Sequence, residues 1–192
     1  MSNAPSDAAA KRRAKQTVIN LALSLGASLG IVLVLILIVP RDDSNRIQPV
    51  DFTSIAMEAE ISSGKEIVAP QLPQGWWSNS ARWSAKPTDG VATWYVGFVG
   101  PKNQYIGLTQ AFGVNPTWLA LELKNSAETG SVTIDESTWT IYEALEQSNP
   151  KKTKDFIMVL NNEPDAVLLY GTGTSQDFES LALSVQAALE GN

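Results

Sequence analysis

The chain contains no histidine and no cysteine, so any chemistry it does must come from carboxylates, lysine and arginine, hydroxyls and tryptophan. Without His there is no side chain that titrates nearest neutral pH, no Ser-His-Asp triad and no His-containing zinc site. Without Cys there are neither disulfides nor thiolates. Twenty acids make some carboxylate pair inevitable, yet no spacing among them marks a general acid and its partner. Asp135-Glu136 and Glu163-x-Asp165 fall in turn-rich segments, where acids serve the backbone. Gly171-Thr172-Gly173-Thr174 lacks both the G-x-x-x-x-G-K-[ST] and the G-x-G-x-x-G pattern. No catalytic residue, metal or cofactor is expected, and binding is expected in place of catalysis.

The residues best suited to binding cluster at Trp76, Trp77, Arg82 and Trp83. Neighbours on a strand point to opposite faces, so Trp76 and Trp77 cannot enter the same core, and one of them is a candidate anchor for a partner or glycan. Arg82 and Lys86 are among few cations nearby and suit an anionic group. Tyr105, Thr109 and Gln110 are a candidate polar lining, and Lys151-Lys152-x-Lys154 reads as a solvated basic turn.

These residues sit in a chain of uneven charge. Residues 1–46 carry six basic and three acidic side chains, whereas residues 47–192 carry eight basic and seventeen acidic ones. An acidic body of this kind cannot displace the counterions of a nucleic acid, so no nucleic-acid partner is expected. Hydrophobic residues make up 44% and charged residues 18%, a composition that folds instead of remaining disordered.

From residue 16 to residue 40 there is no charge, and residues 18–39 contain fifteen Leu, Ile or Val. Twenty-two helical residues reach about 33 Å, against a hydrocarbon core of about 30 Å. A secretory signal has a shorter apolar region and a small-residue cleavage motif; Pro40-Arg41-Asp42-Asp43 follows here instead, and an uncleaved anchor is expected. Lys11, Arg12, Arg13 and Lys15 precede the span, which places the N-terminus inside and the rest of the chain on the outer side. Ala22, Gly26 and Gly30 recur every fourth residue, a small-xxx-small face on which a homodimer or another membrane protein would pack. The expected organisation is a basic cytoplasmic tail over 1–17, a transmembrane helix over 18–39, a juxtamembrane linker over 40–50 and an extracytoplasmic domain over 51–192.

That domain reads as α+β. Asp51 is placed to cap a short helix with an apolar stripe of Phe52, Ile55, Ala56 and Ala59. Period-two patterning then predicts strands near 77–83, 91–99, 105–112, 131–134, 139–143, 156–160 and 166–170, with hairpin-length turns between most of them. The result is a mostly antiparallel sheet of about seven strands. Asn115-Pro116 starts a helix through Lys124. Thr174 and Asp177 are spaced for a capping box on a helix over 175–189, whose stripe is Phe178, Leu181, Ala182, Val185, Ala188 and Leu189. Both helices are expected to pack on the sheet.

Several short motifs are shared with a known family. They are the basic leader and single span, Pro70-x-Leu72-Pro73-x-Gly75-Trp76 with Ser80-Ala81-Arg82, then Thr93-Trp94-Tyr95-Val96-Gly97-Phe98, then Tyr105-x-x-Leu108-x-Gln110. On these the chain resembles the actinobacterial family known as domain of unknown function 4245. The resemblance implies an envelope protein and brings no catalytic residues. By order of elements the domain is also similar to the PsbP-like superfamily, whose members mostly bind partners. The expected role is a single-pass cell-membrane protein with an extracytoplasmic binding or accessory domain, acting on an envelope protein, lipid or glycan. The alternative is an envelope hydrolase or a carrier of small apolar ligands with a cavity between the sheet and the last helix.

Overall fold

The computed structural model describes residues 7–38, 48–85, 89–145 and 154–191. Lys86, Lys151, Lys152, Val39 and most of the expected linker lie outside the described residues. Two compact units divide the chain, Met1–Arg46 and Ile47–Asn192.

The first unit is built on α1, Asp7–Ile38. No proline or charge interrupts its apolar part, and the helix takes in the basic cluster before it. Residues 11–36 are exposed along its whole circumference, an apolar surface that is costly in water and satisfied by lipid. Lys11–Ile36 is long and apolar enough to cross a membrane.

The second unit is one antiparallel sheet with helices on it. Its strands are β1 (Trp77–Ser84), β2 (Ala92–Val99), β3 (Tyr105–Phe112), β4 (Ser126–Ile134), β5 (Ser137–Ala144), β6 (Phe156–Asn162) and β7 (Asp165–Gly171). They lie in the order β1-β2-β3-β7-β6-β5-β4. Two meanders, β1 to β3 and β4 to β7, are therefore joined along β3 and β7. Tight loops enforce the antiparallel pairing. The pairs Ile134 with Ser137 and Asn162 with Asp165 leave only Asp135-Glu136 and Glu163-Pro164 to turn the chain. Asp135 does so with φ at +50°, a conformation that Asp tolerates better than most residues.

One face of the sheet carries most of the core. Trp94, Val96, Phe98, Ile106, Leu108, Leu169 and Trp139 are all 0% exposed. Two helices cover this face: α2 (Phe52–Ser63), through Phe52, Ala56 and Ala59, and α4 (Ser175–Glu190), through Phe178, Leu181, Ala182 and Val185. Each large side chain so buried contributes roughly 1.5–3 kcal/mol before the entropy of ordering is counted. Asp51 caps α2 by accepting from Ser54 N–H at 3.2 Å, and Thr174 and Asp177 close the capping box of α4. Between α2 and β1 the chain has no ladder of its own at Glu66–Val68, and the core supplies one. Gln110 Oε1 accepts from Val68 N–H at 2.9 Å, Gln110 Nε2 donates to the Glu66 carbonyl at 2.9 Å, and Trp94 Nε1 donates to the Val68 carbonyl at 2.9 Å.

Among the described residues the other face has one short helix, α3 (Pro116–Glu122), started by Asn115 accepting from Trp118 N–H at 2.9 Å. Trp118, Leu119 and Leu123 pack with Val91, Ala111, Ile157, Val159, Ala166 and Leu168. Seven helical residues are about 10 Å long, whereas seven strands at about 4.8 Å spacing span roughly 30 Å. Among the described residues much of this face thus carries no helix, above all the β1 to β3 half.

Candidate functional site

The open half of that face is lined by hydroxyls. Alternation along β2 and β3 puts Tyr95, Gly97, Tyr105, Gly107 and Thr109 on it, and the hairpin register sets Gly97 directly opposite Gly107. β1 adds Ser80 opposite Gly97 and Arg82 opposite Tyr95; β7 adds Tyr170 opposite Gly107. Two adjacent glycines make a trough in the sheet. A methyl at Gly107 would lie 3.0 Å from the Tyr170 ring and 3.2 Å from the Tyr105 hydroxyl, and one at Gly97 would lie 3.1 Å from the same hydroxyl and collide with Asn79. The rings of Tyr105 and Tyr170 therefore fill space that any other residue at these positions would occupy.

Within the trough Tyr95 and Tyr105 are hydrogen-bonded to each other, and Ser80 donates to Asn79 Oδ1 at 2.9 Å. Burial raises the Tyr105 hydroxyl above the usual tyrosine range, and the bond to Tyr95 raises it further. Burial also pushes Tyr170 up to about 12, although a hydrogen bond with Thr109 and the charge of Arg82 pull the other way. Both phenols are therefore protonated donors across the neutral range.

Among the described residues two cations border the trough, and they differ. Lys154 Nζ lies 4.5 Å from the centre of the Tyr170 ring but is held by Glu122 Oε2 at 2.7 Å, which ties the start of β6 to the end of α3. The Arg82 guanidinium lies 3.8 Å from the centre of the Tyr95 ring, is exposed, and makes no ion pair among the described residues. It is fixed by the ring and open to an external acceptor.

The structure separates the four aromatic and basic candidates. Trp76 and Trp83 pack against the main core, Trp83 edge-on to Phe112 at 5.6 Å. Trp77 pairs with Val99, shares the open face, is half-buried, and belongs to neither apolar cluster. Arg82 joins Trp77 there. Of the polar lining proposed on β3, Tyr105 and Thr109 are together on this face, whereas Gln110 turns inward to hold Glu66–Val68. Sequence reasoning passed over Tyr95 and Tyr170. A signal for the first existed: Tyr95-x-Gly97 and Tyr105-x-Gly107 repeat one motif on the two strands of a hairpin. Ala22, Gly26 and Gly30 are exposed along α1, and a methyl at either glycine would touch nothing within 4 Å.

The hollows among the described residues lie away from Arg82, and one of about 350 Å³ is lined by Lys65, Glu66, Gln110 and Asp165 among others. Between α2 and α4 runs an open groove of about 680 Å³ lined by Ala56, Met57, Ile67, Ala69, Leu183 and Ala187 among others. Directly beneath α4 the sheet interface is filled by Phe178, Leu181, Ala182 and Val185, all 0% exposed. A recess of about 290 Å³ remains beside its first turns, between Ser175, Glu179 and strands β4 to β6. Among the described residues no three acids converge as a metal would require.

Fold and face together define a seven-stranded antiparallel α+β domain in a chain that also has a helix long and apolar enough to span a membrane. The family model described as "Protein of unknown function (DUF4245)" matches residues 13–185, and the chain belongs to that family. Neither a curated protein nor a solved structure matches it.

Proposed function

We propose that this is a membrane-anchored binding domain of the cell envelope, with α1 as the anchor, the N-terminus inside, and the sheet domain on the outer side. The observation that carries the reading is the part of the sheet face that no helix among the described residues covers, where Trp77, Arg82, Tyr95 and Tyr105 stand on one face with Tyr170 of neighbouring β7. A sheet face left without a helix normally exposes short polar side chains; rings and a ring-seated guanidinium are what a recognition surface uses. Among the described residues this face presents hydroxyls, rings and a guanidinium, groups that suit binding.

A photo-crosslinking residue in place of Ser84, which lies beside Arg82 on the open face, tests this in intact cells against the same probe in place of Ile61, 87% exposed on α2. Capture of an envelope component from position 84 and not from position 61 is the expected result. The reverse pattern would move the binding surface to the helix side. That outcome would favour a second reading, a carrier of small apolar ligands, which has the α2–α4 groove with its half-exposed Met57 and Leu183 in its support.

A further inference from the structure

On the reading that the open sheet face binds, the geometry points to its ligand class: we propose that the surface at Arg82, beside the Tyr95–Tyr105 pair, receives a single phosphate or carboxylate group carried on an otherwise neutral, hydroxyl-bearing molecule, with Arg82 as the charge partner and the tyrosine pair as donor. Three observations converge on it.

The first is the state of Arg82. Its guanidinium is held at stacking distance from Tyr95, 3.8 Å from the ring centre, so its five donors lose little freedom on binding, and no carboxylate among the described residues occupies them. Lys154, the other cation at the trough, is already taken by Glu122. A planar fork fixed on a ring suits a two-oxygen acceptor.

The second is a count of protons. Tyr95 and Tyr105 have two hydroxyl protons and share one hydrogen bond, which leaves one proton of the pair to be offered outward. Either hydroxyl can be the donor of that bond, and both tyrosines stand on the same side of the sheet as Arg82. Chained hydroxyls polarise each other, which strengthens the terminal donor toward a charged acceptor.

The third is the surrounding charge. The body carries seventeen acids against eight bases, and a polyanion would be repelled over most of its length. One oxyanion on a neutral carrier meets the cation without that repulsion. Ser80 and Asn79, both half-buried, flank the same trough and provide partners for hydroxyls, while Trp77 lies in the Val99–Tyr105 row and offers an indole to the apolar face of a sugar.

The test uses the full chain in phosphatidylcholine nanodiscs, titrated with glucose 1-phosphate, glucuronate, inorganic phosphate and neutral glucose, and followed by intrinsic fluorescence and calorimetry. Saturable binding of the two charged sugars is expected, with glucose binding at least about tenfold more weakly. Nanodiscs containing phosphatidylglycerol report whether a lipid headgroup is the source, because they would compete with the soluble sugars. Arg82→Ala is expected to weaken the charged sugars by about tenfold or more, Arg82→Lys to restore only part of the loss, and Tyr105→Phe to weaken them without altering glucose. Lys124→Ala removes an exposed cation on another part of the body and is expected to change nothing. Wild-type affinity in Arg82→Ala with an unchanged melting temperature overturns the proposal, as does equal binding of glucose and glucose 1-phosphate. If no charged probe binds but position 84 still crosslinks to an envelope component, the ligand class falls and the binding reading survives; if the crosslink fails too, both fall.

Discussion

Three of the four tyrosines meet at the trough, and their ionisation gives a direct measure of how closed it is. Burial raises Tyr105 and pushes Tyr170 up to about 12, against about 10 for a free phenol. A raised value means that above pH 10 the folded state holds protons that the unfolded state has released. The stabilisation is therefore complete below about pH 10 and is lost as pH climbs through the folded values. Absorbance of phenolate should show part of the tyrosine signal appearing only near pH 12 or on unfolding, and the melting temperature of the domain should fall steadily from pH 10 upward. All four tyrosines ionising together near pH 10, with a flat melting temperature, would show that the trough is open to water. The residues that make this site were only half legible in the sequence. Arg82 and Trp77 stand out by type, and Tyr105 by its place on a clear strand. Tyr170 gains its meaning from β7 lying against β3, a pairing of strands some sixty residues apart, and no local pattern encodes that. Gln110 was misplaced in the proposed polar lining because type was weighed above parity: five residues from Tyr105, it must face the opposite side, and there it becomes the clamp for Glu66–Val68.

Among the elements, α4 shows how a local signature and a tertiary contact reinforce each other. Thr174 and Asp177 close a capping box, and the same Asp177 carboxylate accepts from Gln104 Nε2 at 3.3 Å, which ties the β2–β3 hairpin loop to the start of the helix. Partial burial raises the Asp177 carboxyl, but the hydrogen bonds from Thr174 and Gln104 and the nearby Lys102 outweigh it, and the net shift is downward. A lowered carboxyl stabilises the fold above the ordinary Asp range, and that contribution disappears as pH falls through the folded value. Thr174→Ala should cost about 1 kcal/mol in denaturant titration at neutral pH and less in acid, where the wild type has already lost part of the carboxylate's contribution; an equal cost at both pH values would show the hairpin tie to be idle. Elements with such punctuation were legible in advance: Asp51, Asn115-Pro116 and Thr174-Asp177 all start helices where the sequence puts them. β4 was not. It begins at Ser126, five residues before its expected start at Ser131, because an exposed edge strand has no alternation to read and is held by backbone pairing to β5 alone. The turn after it is tighter than expected for the same reason, with Ser137 already in β5.

For the whole molecule the two units pose one question, which is where the acidic body lies. A helix with residues 11–36 fully exposed and apolar beyond its basic start gains by leaving water, and four cations immediately before the apolar run resist translocation. If α1 is an anchor with its N-terminus inside, the sheet domain is confined to a thin layer outside the membrane, and that confinement raises its effective concentration for anything else fixed there. A weak ligand face would then suffice. Carbonate washing of membranes should leave the full chain in the pellet, while residues 47–192 expressed alone should remain in the supernatant and melt in a single transition. Protease added to wall-stripped cells should then remove the body and spare a short fragment containing Lys11 to Lys15. A body that stays intact until the cells are broken would reverse the topology, and with it the compartment to which the proposed ligand of Arg82 belongs.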